Sequence, residues 1–597
     1  MPVAAAAGMC YHGIVSQDTQ QTKVHMGGET MKKIVILGAG KIGRGFVADA
    51  FAAGGYKLVF ADADAALVKA LRERGHYTLR NVRSADEQET KVIGDYEALH
   101  IDDERLVPEI IEAGLAAVAI FPNDFPGAAK IIAEALASKH ARGDASALDV
   151  LVVANLANAQ RIFADAVRQA LPAQLHEFME KTLGVCATVA ARVAVRPTGR
   201  MLDEDPLAVL TDGCDVLPVE RKFKGECPAC PMLEYHDSLD ALAARKLYTC
   251  NMAHAASAYL GASKGCATIC EALNDAQIEQ IVRGALDEAL EGFVREGTFA
   301  AEDKAACIDG VIRKFQNPVI GDTPARVGAD PRRKLRGEGC IVGAMRMARN
   351  NGVYPYYLSK IAAYGLLFAQ PGDEGAAEVR AFAMQNGVEA AVRKYMELWE
   401  PDLIYAVKRH YLKADGRFVA EDARRVRFLR RAYETGFCSE KQYRGCAQGT
   451  LIALETLTGI GNKDLFRAAT GMSGGMALCG DGVCGGYSGG LLFMSYIKGR
   501  DLDRIAIDGD KVNQYIAYDA AQRLHDHFIA CFGSPVCMRI HEGMFRGEHY
   551  ILRTKARRNE FEDAGAHTIV CTTVVALAAS WVAEIILDMG LYELKED

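Results

Sequence analysis

Neither a membrane span nor a nucleic-acid footprint is written into this sequence. Its longest apolar run, TIVCTTVVALAASWVAEIIL from Thr568, carries Glu584 near its end and reads as a buried helix rather than a bilayer crossing. A basic excess is also missing. Charged residues make up 24% of the chain and the formal net charge is -8, so a phosphate backbone would find no cationic stripe to neutralise it. The N-terminus has no basic segment leading into an apolar one, so no secretory signal is expected and the chain is expected in the cytoplasm. In that reducing setting the 17 cysteines are expected to be mostly free thiols, available for redox or metal chemistry rather than for cross-links. No repeat of fixed period runs along the chain.

What is present is length and a changing pattern. The 597 residues, half of them hydrophobic, exceed one core and predict about three or four domains. Residues 1–30 are alanine-rich, then polar, and are expected to be a disordered extension or a mis-assigned start. The stretch GGETM ending at Met31 reverse-translates to a purine-rich run before an ATG, which favours Met31 as the start. From Lys32 a strand (KIVIL), a glycine turn, a helix and a second strand (KLVFAD) open a βαβ unit, and LAAVAIF and LDVLVVAN supply further strands between helical stretches. This alternation predicts an α/β domain with a doubly wound, mainly parallel sheet over 31–196. Over 197–398 strand signals thin and amphipathic helices predict an all-α substrate domain. A polar stretch, 399–416, with Pro401 and KADGR, is expected to be a linker. The rest, 417–597, is expected to be a separate, mostly helical domain, with seven of the 17 cysteines and a glycine-dense core from Gly471 to Gly490.

The turn GAGKIG sets Gly38, Gly40 and Gly43, with Ala39, Lys41 and Ile42 between them, in G-x-G-x-x-G spacing. The first glycine makes the tight turn, the second admits the pyrophosphate, and the third lets helix and sheet approach closely. The pyrophosphate would lie on the helix N-terminus, where free N–H groups favour negative charge. Asp62 ends the second strand about 20 residues on, where a carboxylate pairs with ribose hydroxyls and repels a 2'-phosphate. NAD is the expected cofactor; Asp64 is a less well placed alternative to Asp62.

Further along, Lys246, Asn251 and His254 fall in KLYTCNMAH, a helix-patterned stretch that puts them on nearly one face. A buried lysine can take the proton of a secondary alcohol as hydride leaves, and amide donors can steady the alkoxide. From Met31 to about Tyr395 the chain resembles the bacterial mannitol-1-phosphate 5-dehydrogenases, polyol-specific long-chain dehydrogenases, through GAGKIGRGF, FADAD, RKLYTCNMAHAASAYLG, RKFQNP and ARVGADPRRKL. The resemblance implies a Rossmann domain beside a helical domain, no catalytic metal, Lys246 as acid/base, Asn155 and Asn251 as alkoxide donors, and His254 as an orienting group. A phosphorylated substrate needs fixed cations, and Arg332, Arg333 and Lys334, with Arg336 beyond, are the candidates. Four departures stand out. Ala154, Ala187 and Ala191 occupy positions that are acidic in that family, and no acidic residue stands at Ala243 or Ala244 just before the lysine.

The tail resembles a second family, small redox-active proteins named for a C...GCAxxG...C...C pattern, through YRGCAQGTLIALE, the glycine core, FGSPVCMRI and HTIVCTTVV. Cys446, Cys479, Cys484, Cys537 and Cys571 are its candidate redox or metal residues, with Cys438 a candidate leading cysteine and Thr450 where a glycine is expected. A disulfide relay, a metal site or an iron-sulfur centre are all open to such thiols. The C-P-A-C pair Cys227 and Cys230 has no second pair at zinc spacing and reads as a loop. The expected function is NAD-linked interconversion of a hexitol phosphate and a ketose phosphate, mannitol 1-phosphate and fructose 6-phosphate by resemblance. The alternatives are the same chemistry on another polyol or sugar-acid phosphate, and an NADH/NAD sensor without turnover.

Overall fold

A computed structural model describes residues 32–83, 87–154, 158–197 and 199–594. The chain folds as two compact units. One runs to Lys246 and includes Asp309–Gly321; the other comprises Leu247–Ile308 and the chain from Asp322 onward.

In the first unit the apolar runs become strands buried on both faces. β1 (Lys33–Leu37), β2 (Lys57–Asp62), β3 (Tyr96–His100), β4 (Leu115–Val118), β5 (Leu148–Val152) and β6 (Leu183–Ala187) lie parallel in the order β3-β2-β1-β4-β5-β6. Along β1, Ile34 and Ile36 enter one apolar core while Val35 and Leu37 enter the other. A strand covered on both sides therefore reads as an unbroken apolar run. The strand order reverses direction beside β1, which puts the glycine turn at the switch point where open α/β sheets bind ligands.

The strands do not stop at 196. Val209–Thr211 pairs with His76–Val82 in a second sheet, Leu217–Glu220 pairs with Leu233–His236, and this whole stretch stays with the first unit. Strands of three or four residues are too short to display an alternation, which is why the sequence suggests only helices there. Within RKFQNP, Lys314 pairs with Asp212 at 2.7 Å, and the Asn317 amide donates to Val82 O at 2.8 Å. Helix α1 (Asp240–Lys246) closes the first unit.

The second unit is helical. α2 (Met252–Lys264) packs with Ala276–Glu296, Cys340–Asn350 and Tyr356–Leu367. Fully buried Glu288 accepts from the N–H groups of Tyr357 at 2.9 Å and Leu358 at 3.0 Å, capping a helix end from outside the helix, and burial pushes its carboxyl up to about 8.

The stretch expected to be a linker is instead mostly helix α3 (Pro401–Ala414). Pro401 sits at the first helical position, where its missing N–H is not needed, so it starts a helix rather than breaking one. α3 is docked: the Arg349 guanidinium donates to both oxygens of Asp402, at 2.9 and 3.0 Å, with both residues buried. Further links join the tail to the same unit. Lys360 pairs with Glu421 at 2.7 Å, Arg430 with Asp287 at 2.8 Å, and Tyr354 stacks on Tyr433 at 4.6 Å. The cysteine-rich region is thus continuous with the helical domain rather than tethered to it.

That region is a bundle of α4 (Ala423–Tyr443), α5 (Cys446–Thr458), α6 (Gly485–Lys498), α7 (Lys511–Phe532), α8 (Cys537–Met544), α9 (Lys555–Asp563) and α10 (Cys571–Asp588). The span Ala566–Asp588 is apolar and long enough to cross a membrane, and it lies mostly buried, packed by α4, α5, α6 and α7. Gly436 on α4 explains one close approach, since a Cβ there would sit 3.0 Å from the Cα of Ala576 on α10.

Candidate functional site

Four groupings of candidate residues emerge, the first in the glycine turn. Gly38 has φ +104°, and a Cβ there would meet Ala119 O at 2.6 Å, so no other residue fits without strain. At Gly43 a Cβ would collide with Gly38 O, while at Gly40 it would meet nothing within 4 Å, which leaves the side from which a pyrophosphate approaches open. The Asp62 carboxylate accepts from Ala39 N at 2.7 Å through one oxygen and from Asp64 N at 2.9 Å through the other. Asp64 caps the next helix, accepting from Ala66 N and Leu67 N. The Asp64 cap uses one oxygen, and Asp62 is the one that touches the turn itself, through Ala39 N. Lys41 and Ile42 open the following helix, which passes through a π turn at Gly43–Val47. Sequence reasoning missed Arg44, whose buried guanidinium donates to Ala39 O at 2.7 Å and to Leu207 O and so braces the turn from below. Only its place inside the motif hinted at this role.

The stretch bearing Lys246, Asn251 and His254 is not a uniform α-helix. Lys246 ends α1, a π turn spans Leu247–Asn251, and α2 begins at Met252. The wider turn shifts the phase that plain α-helical spacing assumes. Lys246 and Asn251 are half-buried. In the second unit the His254 ring lies 3.1 Å from Asp322, a nearly buried carboxylate that also takes a two-pronged contact from Arg326. Burial lowers the His254 pKa against the pull of Asp322. Burial raises the pKa of Asp322, but His254 and Arg326 more than offset this and leave it below the ordinary carboxylate range. Asp322 is far from His254 in sequence and carries no spacing signal. Asn155 lies outside the described residues.

The three cations differ in what they already hold. Arg332 is exposed and paired with Asp330 at 2.6 Å and Glu378 at 2.7 Å. Arg333 is exposed, whereas Lys334 is half-buried with a pKa lowered by burial, and it acts electrostatically on His254.

In the cysteine bundle four thiols, Cys446, Cys484, Cys537 and Cys571, line one cavity of about 220 Å³. Cys446 and Cys537 each begin a helix, Cys484 is the N-cap of α6, and Cys571 follows the π turn Ala566–Val570 inside one continuous helical span. The Cys446 thiol accepts hydrogen bonds from the Ser473 side chain and from the backbone of Gly474 and Gly485, yet burial pushes it up to about 11. Cys479 is not among the lining residues; its sulfur meets Arg553 at 3.2 Å. Cys438 is exposed on α4. Among the described residues no three His, Cys, Asp or Glu side chains are placed to hold a single metal ion. Thr450 replaces the expected glycine without a clash, donating to Cys446 O at 2.8 Å, while the close approach is made by Gly489 opposite it.

One wall of the cavity is strained. Gly474, Gly475, Met476, Ala477 and Leu478 are all left-handed, with φ between +51° and +67°. For the three that are not glycine this costs about 1–2 kcal/mol each. Sequence reasoning also missed Glu440, His541 and His567, which line the same cavity. His541 follows Cys537 by four residues on one helix face, a spacing that could have been read.

Comparison with known proteins gives three family matches along the chain. Residues 32–230 match the mannitol dehydrogenase Rossmann domain, 238–412 the mannitol dehydrogenase C-terminal domain, and 445–585 the C_GCAxxG_C_C family. Among solved structures the fold is similar to mannitol 2-dehydrogenase of Pseudomonas fluorescens, solved as a ternary complex with NAD and D-mannitol, at 17% identity and a TM-score of 0.54, covering 65% of this chain and 93% of that one. It is also similar to a D-sorbitol dehydrogenase in substrate-free form, at 15% identity and a TM-score of 0.56, covering 65% and 94%. Residues 32–412 are therefore a two-domain member of the mannitol dehydrogenase family, extended by a C_GCAxxG_C_C domain.

Proposed function

We propose that the chain uses NAD to oxidise a secondary alcohol of a hexitol phosphate to the ketose phosphate, reversibly, with mannitol 1-phosphate and fructose 6-phosphate as the pair the resemblance suggests. The observation that carries this reading is the Asp62 carboxylate tied to the glycine turn, an acceptor for ribose hydroxyls that repels a 2'-phosphate. NAD bound there supplies the hydride acceptor. Lys246 takes the hydroxyl proton as hydride departs, Asn251 and Asn155 donate to the developing alkoxide, and His254 orients that oxygen while Asp322 holds its ring. Because Arg332 already serves two carboxylates, Arg333 and Lys334 are the cations offered to the phosphate.

The alanines at 154, 187 and 191 support a second reading, the same hydride chemistry on another polyol or sugar-acid phosphate. For the tail we propose thiol redox chemistry by the four cavity cysteines, favoured over a single-metal site by the placement of their neighbours. The test is NADH consumption across fructose 6-phosphate, other ketose phosphates, keto-acid sugar phosphates and unphosphorylated fructose. Preference for fructose 6-phosphate supports the first reading, and preference for another phosphate the second. Tight NADH binding with no turnover on any of them would overturn both in favour of a sensor.

A further inference from the structure

Two buried side chains aimed into the thiol cavity have polar atoms without a hydrogen-bond partner among the described residues: Nδ1 of His541, whose residue is 3% exposed, and Oε2 of Glu440, at 1%. Buried polar groups are nearly always paired, so such atoms mark a place where something else binds or reacts. His541 is the better placed. Its Nε2 lies 3.6 Å from the Cys537 sulfur and 4.0 Å from the Cys571 sulfur. The ring is packed edge-on or tilted against Phe545, Tyr550 and Phe561, which fixes it between the two thiols.

We propose that Cys571 and Cys537 form a reactive dithiol with His541 as its acid–base residue, and that the cavity reduces a low-molecular-mass disulfide. This assignment rests on the thiol-redox reading of the tail. It sorts the candidates by geometry: Cys479 lies outside the cavity, and only Cys537 and Cys571 share one imidazole nitrogen. A cavity of about 220 Å³, with Leu478, Ile540, Leu552 and Phe561 among its walls, admits a small disulfide and not a folded protein.

Cys571 keeps partial exposure while Cys537 is buried, so Cys571 attacks first. Its proton passes to His541 Nε2. The sulfur then bonds to one sulfur of the small disulfide, and the departing thiolate takes the proton back and leaves as a thiol. Cys537 next gives its proton to His541 and attacks the Cys571 sulfur, forming the protein disulfide. The second small thiolate leaves with that proton. Two protein thiols lose two electrons, one disulfide gains them, and no proton is left over. Burial penalises a lone thiolate or a lone imidazolium, but transfer between neighbours creates opposite charges side by side, and that attraction counters the penalty. The π turn Ala566–Val570 just before Cys571 is irregular backbone on which its sulfur can move toward that of Cys537.

The full chain is reduced and then exposed anaerobically to bis(2-hydroxyethyl) disulfide. Free thiols are alkylated at intervals, and the linkages are mapped by peptide mass spectrometry. The expected result is a Cys537–Cys571 disulfide in the wild type, a trapped mixed disulfide on Cys571 in Cys537→Ser, and no reaction in this pair in Cys571→Ser. His541→Phe preserves the aromatic packing, so a purely structural role leaves the rate unchanged, whereas the acid–base role lowers it at least tenfold with unfolding midpoints matched to wild type. A Cys446–Cys484 disulfide, or an unchanged rate in His541→Phe, would overturn the assignment while leaving the thiol-redox reading intact. Four cavity thiols that never react would overturn both.

Discussion

Arg349 offers a direct check on whether α3, the helix that leads into the cysteine-rich region, is docked on the helical unit. Its guanidinium holds Asp402 in a bidentate pair whose side chains are only 7% and 4% exposed, so solvent screens the interaction little. Arg349→Leu leaves the Asp402 carboxylate buried without its partner. Breaking a buried pair on one side costs about 3–5 kcal/mol, and replacing both partners with apolar residues is often neutral or stabilising. At about 1.4 kcal/mol per factor of ten, the single variant should lose roughly two to three and a half orders of magnitude in its folding equilibrium. Arg349→Leu/Asp402→Leu should recover most of it. The chain has two tryptophans. Trp399 precedes α3 and Trp581 is buried in α10, so urea unfolding followed by tryptophan fluorescence reports this region directly. A loss below about 1 kcal/mol in Arg349→Leu, the size of an exposed pair, would refute the docking of α3.

Other sites give further expectations. Gly38→Ala forces a Cβ onto Ala119 O at positive φ, so NADH fluorescence titration should show affinity reduced at least tenfold in protein that remains folded. Burial raises the Glu440 carboxyl from 4.5 to about 7, with His567 at 3.5 Å and Arg444 and Glu562 beyond it. Because the folded pKa is the higher one, Glu440 leaves stability intact below pH 4.5 and removes it as pH rises to about 7. Glu440→Gln should therefore be progressively more stable than wild type across that window, with parallel curves above it, as thermal unfolding against pH would show. Lys334→Ala should raise KM for a sugar phosphate at least tenfold while Arg332→Ala leaves it within about twofold, since an exposed guanidinium already holding two carboxylates has little left for a ligand. Equal effects would contradict the assignment.

The Rossmann half was legible because its signals are local. β1 alternates between two cores and so shows as an apolar run, and Gly38 needs a backbone that only glycine adopts easily. The strands at Val209–Thr211 and Leu217–Glu220 were not legible, because their pairing partners and length, rather than their own pattern, make them strands. Pro401 misled for a related reason. Proline breaks a helix interior but suits its first turn, and only the docked Asp402 shows which applies. The chemistry divides likewise. Lys246, Asn251 and the cysteines stand in motifs, while Asp322 and Glu440 gain meaning only from side chains distant in sequence that fold against them.

In the proposed mechanism Lys246 carries proton transfer for an NAD-linked polyol dehydrogenase. Steady-state reduction of fructose 6-phosphate by NADH, measured for wild type and Lys246→Ala alongside NADH binding, tests it most directly. Loss of a removable acid–base group should lower kcat by about 10²–10⁴-fold with NADH affinity unchanged. Equal kcat in the two proteins, or wild type that binds NADH and reduces no ketose, would contradict it.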